Sequence, residues 1–119
     1  MTNLKLNCSV FGLSTKDCKQ ILGAISKFKE IRRAVIYGSR AMDNYKNGSD
    51  VDIAIFGEEI TFSIVVSLST ILNQELPLPY FFDVIDYKEI NSSDLVRHID
   101  SFGKTFYERH SSLDELNTK

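Results

Sequence analysis

The stretch that decides the fold is Gly38-Ser39-Arg40-Ala41-Met42-Asp43-Asn44-Tyr45-Lys46-Asn47-Gly48-Ser49-Asp50-Val51-Asp52. It joins two short apolar runs, Ala34-Val35-Ile36-Tyr37 and Val51 to Phe56. Both runs are rich in β-branched residues and each is followed by glycine, Gly38 or Gly57, so each reads as a buried strand. The path from Tyr37 to Val51 is too short for a crossover helix of the usual kind, which predicts that the two strands pair antiparallel.

Working outward, Ser14-Thr15-Lys16-Asp17 has the form of a capping box with Asp in the acidic place. Ile21, Leu22, Ile25 and Phe28 then recur at helical spacing through about Glu30. Thr61 to Gln74 carries Phe62, Val65, Val66, Ser69 and Leu72 on one helical face and Ile64, Leu68 and Ile71 on another, so a helix covered on both sides is expected. Pro77 and Pro79 bar helix and favour extended backbone around them. Tyr80 to Tyr87, aromatic and β-branched, predicts a third strand. After Ser92-Ser93 a final helix is expected to turn Leu95, Ile99, Phe102 and Phe106 inward, with Gly103 inside it at a close packing contact. The order helix, strand, strand, helix, strand, helix predicts an α+β (mixed α/β) domain, a small mixed β-sheet with helices packed mainly on one face. No repeat or linker divides residues 1–119, which are expected to form a single domain, ordered from about 10 to 110, with frayed ends.

A chain of 119 residues that is 43% hydrophobic can bury roughly two-thirds of its unfolded surface, enough for one core without staples. A net charge of -2 and a pI near 5.6 argue against a protein that holds nucleic acid by its overall field. Lys27, Lys29, Arg32 and Arg33 read as a solvated helix end. Cys8 and Cys18 show neither metal spacing nor a disulfide framework. There is no signal peptide, and no apolar run approaches the ~20 residues that span a bilayer. The expectation is a cytoplasmic protein with no membrane contact.

Within a strand, residues two apart share a face and lie about 6.5 Å apart, so Asp50 and Asp52 are expected to project together. Like charges placed so repel unless a cation lies between them. Carboxylate oxygens suit Mg²⁺, which keeps waters and substrate phosphate oxygens among its ligands. Gly38 permits close backbone approach, Ser39 can cap a helical turn begun by Arg40-Ala41, and such a turn suits a phosphate. Arg40 would add a planar donor within reach of a triphosphate. A third acid comes from Asp83 or Asp86, which face opposite sides of the third strand. Asp83 is preferred because an unpaired carboxylate inside Phe81-Phe82-Asp83-Val84-Ile85 is costly and implies a purpose, whereas Asp86 sits nearer the strand end, where water can reach it.

Gly38-Ser39, ten residues, then Asp50-Val51-Asp52 resembles the G-S-x(10)-D-x-D signature of the DNA polymerase β-like nucleotidyltransferase superfamily. More narrowly, the chain resembles the minimal nucleotidyltransferases, the MNT or MntA-like antitoxins, over most of its length. Where that family commonly has a loop glycine this chain has Asp43. The resemblance implies that Gly38 and Ser39 bind nucleotide phosphates and that Asp50, Asp52 and Asp83 hold Mg²⁺, in a two-ion site. It implies transfer of AMP from ATP to a hydroxyl with release of pyrophosphate. It further implies a partner, an all-helical HEPN ribonuclease toxin whose tyrosine accepts the AMP. Two other readings stand beside it: a small-molecule acceptor such as an antibiotic hydroxyl, with a second copy of the chain completing the site, and a catalytically weak antitoxin that only binds nucleotide or protein. His98 and His110 read as surface residues, since Asp94 and His98 alone make a poor zinc site.

Overall fold

The structure, a computed structural model, describes residues 11–42 and 50–109. Asp43, His110 and Cys8, all singled out in the sequence, lie outside the described residues. Helix α1 spans Thr15–Ser26, with the Ser14 hydroxyl accepting from the backbone N–H of Asp17 at 3.0 Å. Strand β1 is Arg33–Tyr37 and strand β2 Val51–Phe56. Helix α2, Phe62–Thr70, is capped by the Thr61 side chain and runs on into a π-helical turn, Ile71–Glu75. Strand β3 is Phe82–Asp86, helix α3 Ser93–Phe102 and strand β4 Lys104–Glu108.

The four strands form one mixed sheet in the order β3-β2-β1-β4. As the short connection predicted, β1 and β2 are antiparallel, with Tyr37 opposite Asp52 and Ile36 opposite Ile53. Strand β3 runs parallel to β2, which the intervening helix α2 makes possible. Alternate strand residues divide between two apolar clusters. Ile36, Ile53, Ile55, Phe82 and Val84 pack with Ile21 and Ile25 of α1 and Leu68 of α2, whereas Val35, Tyr37 and Ala54 pack with Ile99 of α3. Two helices therefore cover one face and α3 covers the other.

Strand β4 differs from the expectation of one continuous final helix. The helix stops at Phe102, and Thr105-Phe106-Tyr107 pairs antiparallel with β1 across a bulge at Ala34/Val35. The β-branched and aromatic residues of this segment gain more by extending over the sheet than by adding a turn. Gly103 ends the helix and does sit at a close contact, since a Cβ there would come within 2.5 Å of the Val35 side chain. Cys18, buried on α1, is disulfide-bonded, which spacing alone did not suggest.

Candidate active site

The strand register sets three polar side chains in one transverse row. Tyr37 lies opposite Asp52 on β2, and Asp52 lies beside Asp83 on β3. All three belong to the face that α3 covers, because Val35 and Ala54, two residues from Tyr37 and Asp52, pack there. Asp52 is half-buried and Asp83 exposed, while Asp50 stands exposed just before β2 begins. Burial first, then the charges of Asp83 and Asp50, push the Asp52 carboxyl above the usual carboxylate range, with a smaller opposing pull from His98. The Tyr37 hydroxyl is pushed well above its ordinary range by burial, then by Asp52 and Asp83. The three acids thus sense one another across two strands and a strand end.

Beyond Tyr37 the backbone folds into a single 3-10 turn, Gly38–Arg40, with Ala41 and Met42 donating to the Gly38 carbonyl at 3.1 and 3.2 Å. Gly38 takes φ +76, a conformation L side chains rarely adopt, and a Cβ there would overlap the Asp52 carboxylate. Glycine is therefore needed twice, for the backbone angle and for the approach of the acid. Ser39 sits inside the turn and does not cap it, because the turn begins at Gly38, two residues earlier than the sequence suggested.

Arg40 differs from its expected placement. It is 2% exposed, its Nη1 donates to the Phe11 carbonyl at 2.7 Å, and its guanidinium lies 5.0 Å from the centre of the Tyr80 ring. The Tyr80 hydroxyl in turn donates to Asp17 at 2.9 Å, tying α1 to the approach to β3. Following an apolar strand, the side chain has an inward path, and an aromatic face and a carbonyl receive its charge there. Arg40 thus braces the turn from beneath. Replacing it by methionine should lower unfolding free energy by about 2 kcal/mol, the scale of a buried bond to a charged donor. Urea denaturation checks this, and unchanged stability would show the side chain to be a passenger.

Asp83 and Asp86 also exchange environments relative to expectation. Asp86 is the buried one, 8% exposed, paired with Lys88 at 2.9 Å and capping the turn Tyr87–Glu89. Lys88 also donates to the Ile60 carbonyl at 2.7 Å. Asp86 is thereby neutralised on the face opposite Asp83, so Asp83 is the acid that stands beside Asp52, by register rather than by burial.

Two residues at the site escaped the sequence reading. Asn73, in the π-helical turn, donates to the Phe82 carbonyl at 2.9 Å and accepts from the Phe82 N–H at 2.7 Å, fixing the backbone immediately before Asp83. The extra residue of a π turn is what aims it there. His98 is half-buried rather than a surface residue, and its Nε2 accepts the Gly38 N–H at 3.1 Å. Nothing in the local pattern reports a contact sixty positions apart.

Carboxylates on neighbouring strands, with no described lysine or arginine paired to Asp52 or Asp83, are a donor set that suits a hard divalent cation. Among the described residues no three acidic, histidine or cysteine side chains close into a cage of protein ligands.

Residues 19–112 match the family model described as polymerase beta, nucleotidyltransferase. A search of curated proteins gave no match. Among solved structures, a toxin–antitoxin complex with AMP-PNP is similar at 20% identity and a TM-score of 0.63, over 87% of this chain and 80% of that one. A tri-AMPylated Shewanella oneidensis HEPN toxin in complex with MNT antitoxin matches at 18% identity and a TM-score of 0.62, over 87% and 79%. A putative nucleotidyltransferase from Sulfolobus solfataricus matches at 22% identity and a TM-score of 0.55, over 92% and 93%. At these identities the likeness is one of fold.

Proposed function

The chain belongs to the polymerase β nucleotidyltransferase family, and from that premise we propose that it moves AMP from ATP to a hydroxyl, most specifically a tyrosine of an all-helical HEPN toxin, acting as the antitoxin. The observation that carries this reading is the register that sets Asp52 beside Asp83 with Gly38 pressed against Asp52. The fold shared with an MNT antitoxin bound to an AMPylated HEPN toxin supports the choice of acceptor. In this reading Asp50 and Asp52 would hold one Mg²⁺ and, together with Asp83, a second. Bound there, the ions would neutralise the triphosphate and acidify the acceptor hydroxyl.

The chain's own residues divide the remaining work. The Gly38-Ser39 turn receives the phosphates, with Gly38 setting the turn's close approach to Asp52. Arg40 supports that turn from the core. Asp83, exposed at the rim, is placed to take the acceptor's proton as the acceptor oxygen bonds to the α-phosphorus and the bond to the β-phosphate oxygen breaks. Pyrophosphate leaves and the AMP ester stays on the acceptor.

Incubating the protein with ATP and Mg²⁺, with and without any helical protein encoded beside it, tests the reading by intact-mass spectrometry. AMP on the partner is the expected result. ATP bound with no adduct on either chain would overturn the protein-acceptor reading and leave a small-molecule acceptor or a nucleotide-binding antitoxin.

A further inference from the structure

We propose that His98 is a positioning residue of the nucleotide site, an imidazole clamp that fixes the strand-to-turn junction at Gly38; its functional consequence rests on the nucleotidyltransfer reading above. The hydrogen bond runs from the Gly38 N–H to Nε2, which accepts it. The ring is held on both sides, edge-on to Tyr37 with centroids 6.1 Å apart and against Phe102 at 5.5 Å. It cannot swing away without breaking aromatic contacts on β1 and on its own helix.

What it holds is the one backbone position that a side chain would deny to Asp52. Gly38 is intrinsically the loosest residue of the junction, since glycine visits many backbone angles at little cost. Its φ of +76 has to be selected from among them. Donating its amide to a ring fixed on α3 removes that freedom and sets the spacing between the turn and the Asp52 carboxylate. The bond also accounts for the Gly38 amide, which therefore faces α3, so phosphate would meet the turn from Ser39 onward.

Three proteins decide the matter: wild type, His98→Gln and His98→Leu. Glutamine reaches about as far and offers an oxygen acceptor near the Nε2 position, whereas leucine fills similar space with none. Amide exchange at Gly38 by NMR, with Ile53 as a core reference, and titration with ATP and Mg²⁺ are the two readouts. In His98→Leu, Gly38 should exchange at least about tenfold faster with Ile53 unchanged, and ATP should bind about tenfold more weakly, the scale of one lost hydrogen bond. His98→Gln should stay within about threefold of wild type in both. Unchanged Gly38 exchange in His98→Leu overturns the clamp, and so does His98→Gln as impaired as His98→Leu, which would make the role one of packing. If His98→Leu does not fold, His98→Phe removes the acceptor while keeping the ring contacts. Should wild type bind no ATP, the nucleotidyltransfer reading fails and the exchange comparison alone decides the clamp.

Discussion

Replacing Asp52 by asparagine should abolish AMP transfer while making the metal-free protein more stable at neutral pH. The loss should be on the order of a thousandfold, the scale on which a single fixed group that stabilises developing charge acts. The gain in stability follows from the raised pKa of the Asp52 carboxyl. Burial, Asp83 and Asp50 disfavour its charged form in the folded chain. Folded Asp52 therefore takes up its proton at higher pH than the unfolded chain, whose value lies near 3.8. Its favourable contribution is complete below that value and is lost as pH rises through the folded pKa. Asparagine has no charge to repel, so the variant should melt above wild type at neutral pH, with the gap closing as pH falls below 3.8. Added Mg²⁺ should raise the wild-type melting temperature and leave the variant nearly unmoved. Melting curves across pH, with and without Mg²⁺, check all of this. A variant less stable than wild type at neutral pH would refute the repulsion, and transfer near the wild-type rate would refute the metal assignment.

Replacing Gly38 by alanine should have the second largest effect. The added methyl group meets the Asp52 carboxylate, and φ +76 is unfavourable for any L residue. Left-handed backbone alone costs roughly 1–2 kcal/mol, and displacement of Asp52 adds to it, so a loss of about 2 kcal/mol or more is expected. Because the acid must move, transfer should fall with it. A double-variant cycle separates the two causes. On an Asp52→Gly background the collision is gone, and the cost of Gly38→Ala should shrink toward that of the backbone alone. Equal cost on both backgrounds would mean that Gly38 and Asp52 do not press on each other.

Local signals in the sequence carried much of this site and most of the fold. Ser14 announced its helix because a cap is a bond within three residues of its donor. Val51 to Phe56 announced a strand because every residue in it is apolar but one. Gly38 and Asp52 stood out for the same reason: a turn glycine and an acid entering an apolar run are visible without a neighbour. The missed features are long-range. Strand β4 was read as helix because Leu95, Ile99, Phe102 and Phe106 keep a helical spacing that only pairing with β1 breaks. Arg40 turned inward because a ring from Tyr80 and a carbonyl from Phe11 wait there, and neither is adjacent in sequence. Asp83 and Asp86 exchanged environments because Lys88 folds back onto Asp86, a choice between two acids that alternation alone does not make.

Among the described residues, strand β3 lies at the border of the sheet, with β2 on one side only. In a parallel pair, alternate residues direct both backbone groups outward, and at Phe82 both are taken by the Asn73 carboxamide. That amide reproduces, on a side chain, the donor and acceptor a visiting strand would offer. A second molecule that tried to extend the sheet at this rim would find its first docking place filled and a charged Asp83 beside it. The protein can therefore keep a reactive edge open to solvent without that edge becoming a template for sheet-to-sheet aggregation.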